Sequence, residues 1–320
     1  VALRRQEPDG LLVDVRIGGE TYASQSFAAL PNEVVRGRDA FLRGFRAGLR
    51  RDPETAGRAA LELGMADLGR ALRRLCLPGD AAGALAGLVD GCPVGTTVEV
   101  WFEADDPELL GLPFEALRLE NDRLLAALPP VVVLRRPLGL PAADYQPLAG
   151  PIKVLVAVAA PDWDLATEVA LDQERELQNI LDATEAAGRL EIAQVNILEV
   201  GHPDVIAAAL ERDAYHVLHI SCHGMPGLLE LEDEDGRAEP TTARELLDPM
   251  RRAGRPLPLV FLNACHGGVE AGQTASFAEE LLRAGLPCVL AMQTSVSDHY
   301  AARLARAFYE HLSSREVLLP

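Results

Sequence analysis

The sequence predicts an α/β protein whose larger part is a mainly parallel sheet flanked by helices, and three observations predict it. Beyond residue 150, apolar runs of strand length alternate with amphipathic stretches of helical length, the rhythm of βαβ units. The first of these runs, IKVLVAVAA at 152–160, is apolar throughout, as a strand covered on both faces must be. Upstream, GLPAADYQPLAGP at 139–151 holds three prolines and two glycines. Such a stretch breaks regular structure and marks a boundary between an N-terminal α/β domain (1–148) and a second domain (149–320).

The elements follow in order. Residues 11–28 alternate around Gly18-Gly19, the pattern of a β-hairpin. Helical periodicity runs over 37–50 and again over 56–76, where Leu61, Leu63, Leu68, Leu72 and Leu75 recur. TVEVWFE (97–103) and PPVVVLRRP (129–137) read as strands on either side of a short helical turn at 109–117. Past the boundary, an amphipathic helix is expected over 167–187, with Leu171, Leu177, Ile180 and Leu181 inward. Strands are expected at 191–200, 215–221, 257–264 and 287–292, and helices at 203–212, 241–253, 275–284 and 298–313. Thr241 or Thr242 caps the helix at 241–253, and the acidic run 230–236 reads as a hairpin.

Composition narrows the function. Apolar residues make up 48% of 320, enough for substantial cores. The net charge of −18 repels phosphate backbones and anionic lipid, which excludes nucleic acid and membrane as partners by direct charge attraction. The five cysteines are odd in number and lack C-x2-C spacing, as suits a reducing cytoplasmic setting. No apolar run approaches the length of a membrane span. The chain shows no signal peptide and starts at Val1, so it reads as a piece of a longer polypeptide that has room for regulatory domains.

In sheets of this kind working groups sit at the carboxyl ends of strands. Two strands end in reactive residues: HVLHI runs into Ser221-Cys222-His223-Gly224, and LVFL into Asn263-Ala264-Cys265-His266-Gly267-Gly268. A thiol, an imidazole to manage its proton and backbone N–H donors freed by glycine are the parts of cysteine-peptidase chemistry. Strand alternation turns Cys222 away from His223, so Cys222, like Cys76, Cys92 and Cys288, reads as a small buried hydrophobe. The Cys-His doublets do not converge as zinc ligands for the same reason. His216 and His219 read as satisfied strand histidines.

The paired segments resemble the caspase-like peptidases, specifically the CHAT-domain family. Asn263-Ala264-Cys265-His266-Gly267 is similar to the family's cysteine block, and His223-Gly224 to its histidine block, which in caspases lies about fifty residues upstream. Leu112-Pro113-Phe114-Glu115 with the strand reaching Arg136 resembles a further block, and 276–298 the usual sequel to the cysteine. The resemblance implies a caspase-like sheet in 149–320 and an N-terminal domain that is a degenerate copy of the same fold. It implies Cys265 as nucleophile and His223 as acid/base, with oxyanion donors at the Gly224 and Cys265 backbone. It also implies that the two side chains need not touch before substrate binds. The primary pocket maps to Asp162-Trp163-Asp164, Asn263 and Thr294–Asp298. Asp162, Asp164 and Asp298 would favour a basic side chain, or an apolar one if the carboxylates point elsewhere. The glycine-rich loop 266–275 is expected to order on substrate binding.

The function implied is a protein-cleaving thiol enzyme acting on a protein or peptide substrate. It needs no cofactor and no metal, and a partner or fused sensor gates it in bacterial stress or defence. Two alternatives stay open: a catalytically silent interaction scaffold, and a thiol amidase or acyltransferase acting on a small substrate.

Overall fold

The computed structural model describes the chain apart from residues 8, 50–57, 141–149, 160, 162–172, 190, 199, 226, 256, 265–272, 293–297 and 314–320. Two compact units result, Val1–Leu140 and Pro141–Pro320.

The first unit runs β1 (Ala2–Gln6), β2 (Gly10–Ile17), β3 (Glu20–Phe27), α1 (Asn32–Leu49), α2 (Arg58–Cys76), α3 (Ala81–Asp90), β4 (Val98–Ala104), α4 (Pro107–Leu110) and β5 (Val131–Pro137). Its sheet has the order β3-β2-β1-β4-β5. The hairpin partners β1, β2 and β3 are antiparallel, whereas β1, β4 and β5 are parallel. Gly18 and Gly19 both take positive φ in the two-residue β2–β3 turn, as a right-twisted hairpin requires. Leu68, Leu72 and Leu75 of α2 join Leu3, Leu11 and Val13 in one core; Leu63 is exposed.

The leucine-proline-phenylalanine-glutamate block is a structural clasp. Phe114 is fully buried and stacks on Phe102 with ring centroids 4.0 Å apart. Arg135 of β5 lies over that ring at 5.2 Å, donates to the Leu112 carbonyl at 2.9 Å and pairs with Glu115. One arginine thereby fastens the whole block to the sheet.

The second unit continues with β6 (Ile152–Val158), α5 (Gln173–Arg189), β7 (Ala193–Leu198), α6 (Pro203–Arg212), β8 (Val217–Met225), β9 (Leu228–Glu232), β10 (Ala238–Thr242), α7 (Ala243–Ala253), β11 (Leu259–Ala264), α8 (Gln273–Arg283), β12 (Cys288–Ala291) and α9 (Asp298–Leu312). The strands β7-β6-β8-β11-β12 are parallel, and the β9–β10 hairpin adds to β8 antiparallel. Thr242 caps α7 in a capping box with Glu245, which satisfies two backbone N–H groups reciprocally.

Alternation along β8 sorts the two faces. Leu218, Ile220 and Cys222 enter a core with α6, α7 and α8. His219 and Ser221 face α5 and α9, where they bond Glu176 and Tyr309. Helices thus cover both faces, as the apolar β6 run predicts. Among the described residues no helix is long and apolar enough to cross a membrane.

Candidate active site

The two motif strands are neighbours. β8 and β11 run parallel with Phe261 opposite His219, Asn263 opposite Ser221 and Ala264 opposite Cys222. His223 follows in β8, and in sequence Cys265 is the residue after Ala264. Cys265, Asp162, Asp164, residues 266–272 of the glycine-rich loop and 294–297 lie outside the described residues. Residues 273–275 of the expected loop form the first turn of α8, and Asp298 opens α9.

His223 is half-buried and Gly224 buried. A Cβ on Gly224 would stand 3.3 Å from the Ala264 Cβ and 3.4 Å from its carbonyl oxygen. The histidine-glycine segment therefore lies flush against the residue that precedes Cys265, and the absent side chain permits that approach. Cys222 is fully buried on the opposite face, as alternation requires. Cys76 is buried too, whereas Cys92 is half-buried and Cys288 exposed at the start of the outermost strand β12.

The structure extends β8 to Met225, so His223 lies inside a strand rather than past its end. β6 pairs with β8 only as far as Val158 opposite Ser221. Beyond it β9 takes over, with Glu230 opposite His223 and Leu229 opposite Gly224. Gly201 packs on Ala159 just past β6, and it exchanges bonds with Glu232 in both directions: its N–H donates to the carboxylate at 3.2 Å, and its carbonyl accepts from the Glu232 N–H. β9 accordingly continues the β6 edge of β8, and β11 occupies the other edge. Leu229 and Leu231 of β9 enter the α6–α8 core, while Glu230 and Glu232 share the face of His223; both carboxylates are buried. Sequence reading takes these two glutamates as part of an acidic hairpin and misses their burial. The one available signal is their alternation with Leu229 and Leu231.

Beneath His223 lies a buried polar cluster that hydropathy does not reveal. Glu176 of α5 accepts hydrogen bonds from His219 Nε2 at 2.8 Å, from Ser221 Oγ at 2.5 Å and from the Asn263 amide. His219 Nδ1 lies 3.0 Å from the Tyr309 hydroxyl of α9, and its ring stacks on Phe261 at 4.6 Å. Burial pushes the Glu176 carboxyl up, but the pull of His219, Ser221 and Asn263 outweighs it and the net shift is downward. With Glu176 ionised and able only to accept, His219 carries its proton on Nε2. Burial and the nearby Glu176 charge push the Tyr309 phenol well above its ordinary value. Asn263, expected in the substrate pocket, is buried with its amide on this carboxylate. The cluster ties α5, β8, β11 and α9 together on the face of β8 that also carries His223.

The arrangement brings the His223-Gly224 segment of β8 against the strand that precedes Cys265, within a mixed α/β sheet and beside a buried polar cluster. No curated protein matches the chain. The family model described as CHAT domain matches residues 67–317, more than half of the sequence, including both motif strands and the Phe114 clasp. The chain belongs to the CHAT domain family.

Proposed function

We propose that this chain is a cysteine endopeptidase working through Cys265 and His223. In the proposed cycle the Cys265 thiolate attacks the scissile carbonyl carbon and forms a carbon–sulfur bond. His223, holding the thiol proton, delivers it to the amide nitrogen as the carbon–nitrogen bond breaks and the amine leaves. Water, deprotonated by the same imidazole, then cleaves the thioester, returning the proton and the free thiol. Backbone N–H groups of Gly224 and Cys265 hold the oxyanion, each contributing about 3 kcal/mol to the transition state.

The observation that carries this reading is the register of β8 and β11, with Gly224 flush against Ala264. Membership of a caspase-like family supports it. The substrate pocket is proposed to draw on Asp162, Asp164, Asn263 and Asp298 and to take a basic side chain at the cleaved position. A regulatory domain or partner protein gates the enzyme within a bacterial stress or defence response.

Incubation of the protein with a peptide library, beside its Cys265→Ala variant, tests the assignment. Cleavage by the parent chain alone, after arginine or lysine, is the expected result. Equal cleavage by both proteins overturns it. A chain that cleaves nothing and whose Cys265 ignores an acyl-oxymethyl ketone is a silent scaffold.

A further inference from the structure

The geometry points to Glu230 as the residue that positions His223, forming a row of carboxylate and imidazole across the adjacent strands β9 and β8 that the proposed mechanism extends to the thiol. This rests on the Cys265–His223 reading. Glu230 stands directly opposite His223 in the antiparallel β8–β9 pair, where facing Cβ atoms are about 4.5–5.5 Å apart. Both side chains lie on the face that carries Ser221 and Asn263, because Leu229 and Leu231 occupy the other. Glu230 is only 8% exposed. A carboxylate is costly to bury unless a cation or hydrogen-bond donors face it, and an imidazole that becomes imidazolium during the reaction supplies both.

The lateral order gives the row its direction. β9 holds the β6 edge of β8, and β11, which leads to Cys265, holds the other edge. A carboxylate on the far side accepts from one ring nitrogen, fixes the tautomer and leaves the other nitrogen to trade its proton with the thiol. It also stabilises the imidazolium that pairs with the thiolate. The titratable or charged groups that strand alternation or hydrogen bonds place on this face include His219 of β8, Glu230 and Glu232 of β9, Glu176 of α5 and Tyr309 of α9. Glu176 is engaged with His219, Ser221 and Asn263, and Glu232 accepts from the Gly201 N–H. Glu230 alone of these is the cross-strand partner of His223.

Alkylation of Cys265 by iodoacetamide tests this without a substrate, read site by site by mass spectrometry between pH 5 and 9. The comparison covers the parent chain, His223→Ala and Glu230→Gln. The parent thiol is expected to react as thiolate below the ordinary cysteine value of about 8.5, and His223→Ala to restore ordinary behaviour. Glu230→Gln, folded by circular dichroism, is expected to raise the midpoint by about one pH unit, a roughly tenfold loss of rate near pH 6. A Glu230→Gln profile that overlays the parent, while His223→Ala shifts it, overturns the role of Glu230 and leaves the dyad standing. A profile that His223→Ala does not move overturns both. If Glu230→Gln does not fold, NMR titration of the His223 ring in the Cys265→Ala protein decides. A midpoint above the ordinary histidine value of about 6.5 supports the row, and one at or below it overturns the row.

Discussion

Gly224 and Ala264 meet across two parallel strands at a distance that leaves room for a hydrogen but almost none for a methyl group: a Cβ on Gly224 would come within 3.3 Å of the Ala264 Cβ. Gly224→Ala therefore requires a shift of a few tenths of an ångström and is expected to fold with a small loss of stability. Gly224→Val adds two further carbons against the Ala264 backbone and is expected to cost about 1–3 kcal/mol, the usual range for overpacking. It also forces β8 and β11 apart at the level of the two motifs. Urea melts of both variants check the stability order. In the valine variant, electrophile labelling of Cys265 should fall by more than the stability loss explains.

Much of this fold is legible in the sequence because the second unit obeys simple periodicities. α6 spans 203–212 as its apolar spacing predicts, and the β-alternation that turns Cys222 into the core also keeps it from His223. Glu176 escapes such reading. It lies on the inward row of α5 with Ile180 and Thr184 at helical spacing, whereas Leu181, expected inward, is 41% exposed. A glutamate on a helix reads as solvated unless its donors are known, and His219, Ser221 and Asn263 come from two strands far along the chain. α3 escapes for another reason: its run AAGALAGLVD is small and apolar on nearly every side, so no stripe stands out.

Removing the Glu176 carboxylate should be among the costliest single changes in the second unit. Glu176→Ala leaves the imidazole, hydroxyl and amide of three buried residues without their common acceptor. The expected loss is about 3–5 kcal/mol, because each buried donor left without an acceptor costs about 1–3 kcal/mol. Glu176→Gln keeps the shape but replaces one acceptor oxygen with a donor, so it should lose less. Denaturant midpoints of the three proteins give the order.

The same carboxyl makes stability depend on pH with a definite sign. Its folded value lies below the ordinary 4.5 because the donors around it outweigh burial. A group depressed in the folded state stabilises the protein fully above its unfolded value, and that contribution is lost as pH falls through the folded one. Urea midpoints measured from pH 7 downward should therefore fall below about pH 4.5. The Glu176→Gln protein should show a shallower fall over the same window. Parallel curves would place the acid sensitivity elsewhere.

Tyr309 links α9 to the cluster through one hydroxyl. Both Tyr309 and His219 are fully buried, with the hydroxyl 3.0 Å from Nδ1. Tyr309→Phe preserves the ring packing on Phe261 and Phe308 but strands the ring nitrogen, so a loss of about 1–3 kcal/mol is expected. In the parent chain the phenol is raised well above 10. Absorbance at alkaline pH should thus show one of the five tyrosines ionising only when the protein unfolds. That step should disappear in Tyr309→Phe.

Thiol accessibility separates structural cysteines from any reactive one. Cys222 is fully enclosed between β8 and the helices below it, and burial pushes the Cys76 thiol up to about 12. Alkylation proceeds through the thiolate, which at pH 8 amounts to about one part in ten thousand for such a thiol. Both cysteines should therefore stay unmodified in the native protein and react only in denaturant, whereas exposed Cys288 reacts in both. Replacing Cys288 with Ser should leave the fold intact and remove that background. Native modification of such a variant then reads Cys265 against half-buried Cys92 alone, and a product at Cys222 before unfolding would mean that the β8 core is far looser than its packing indicates.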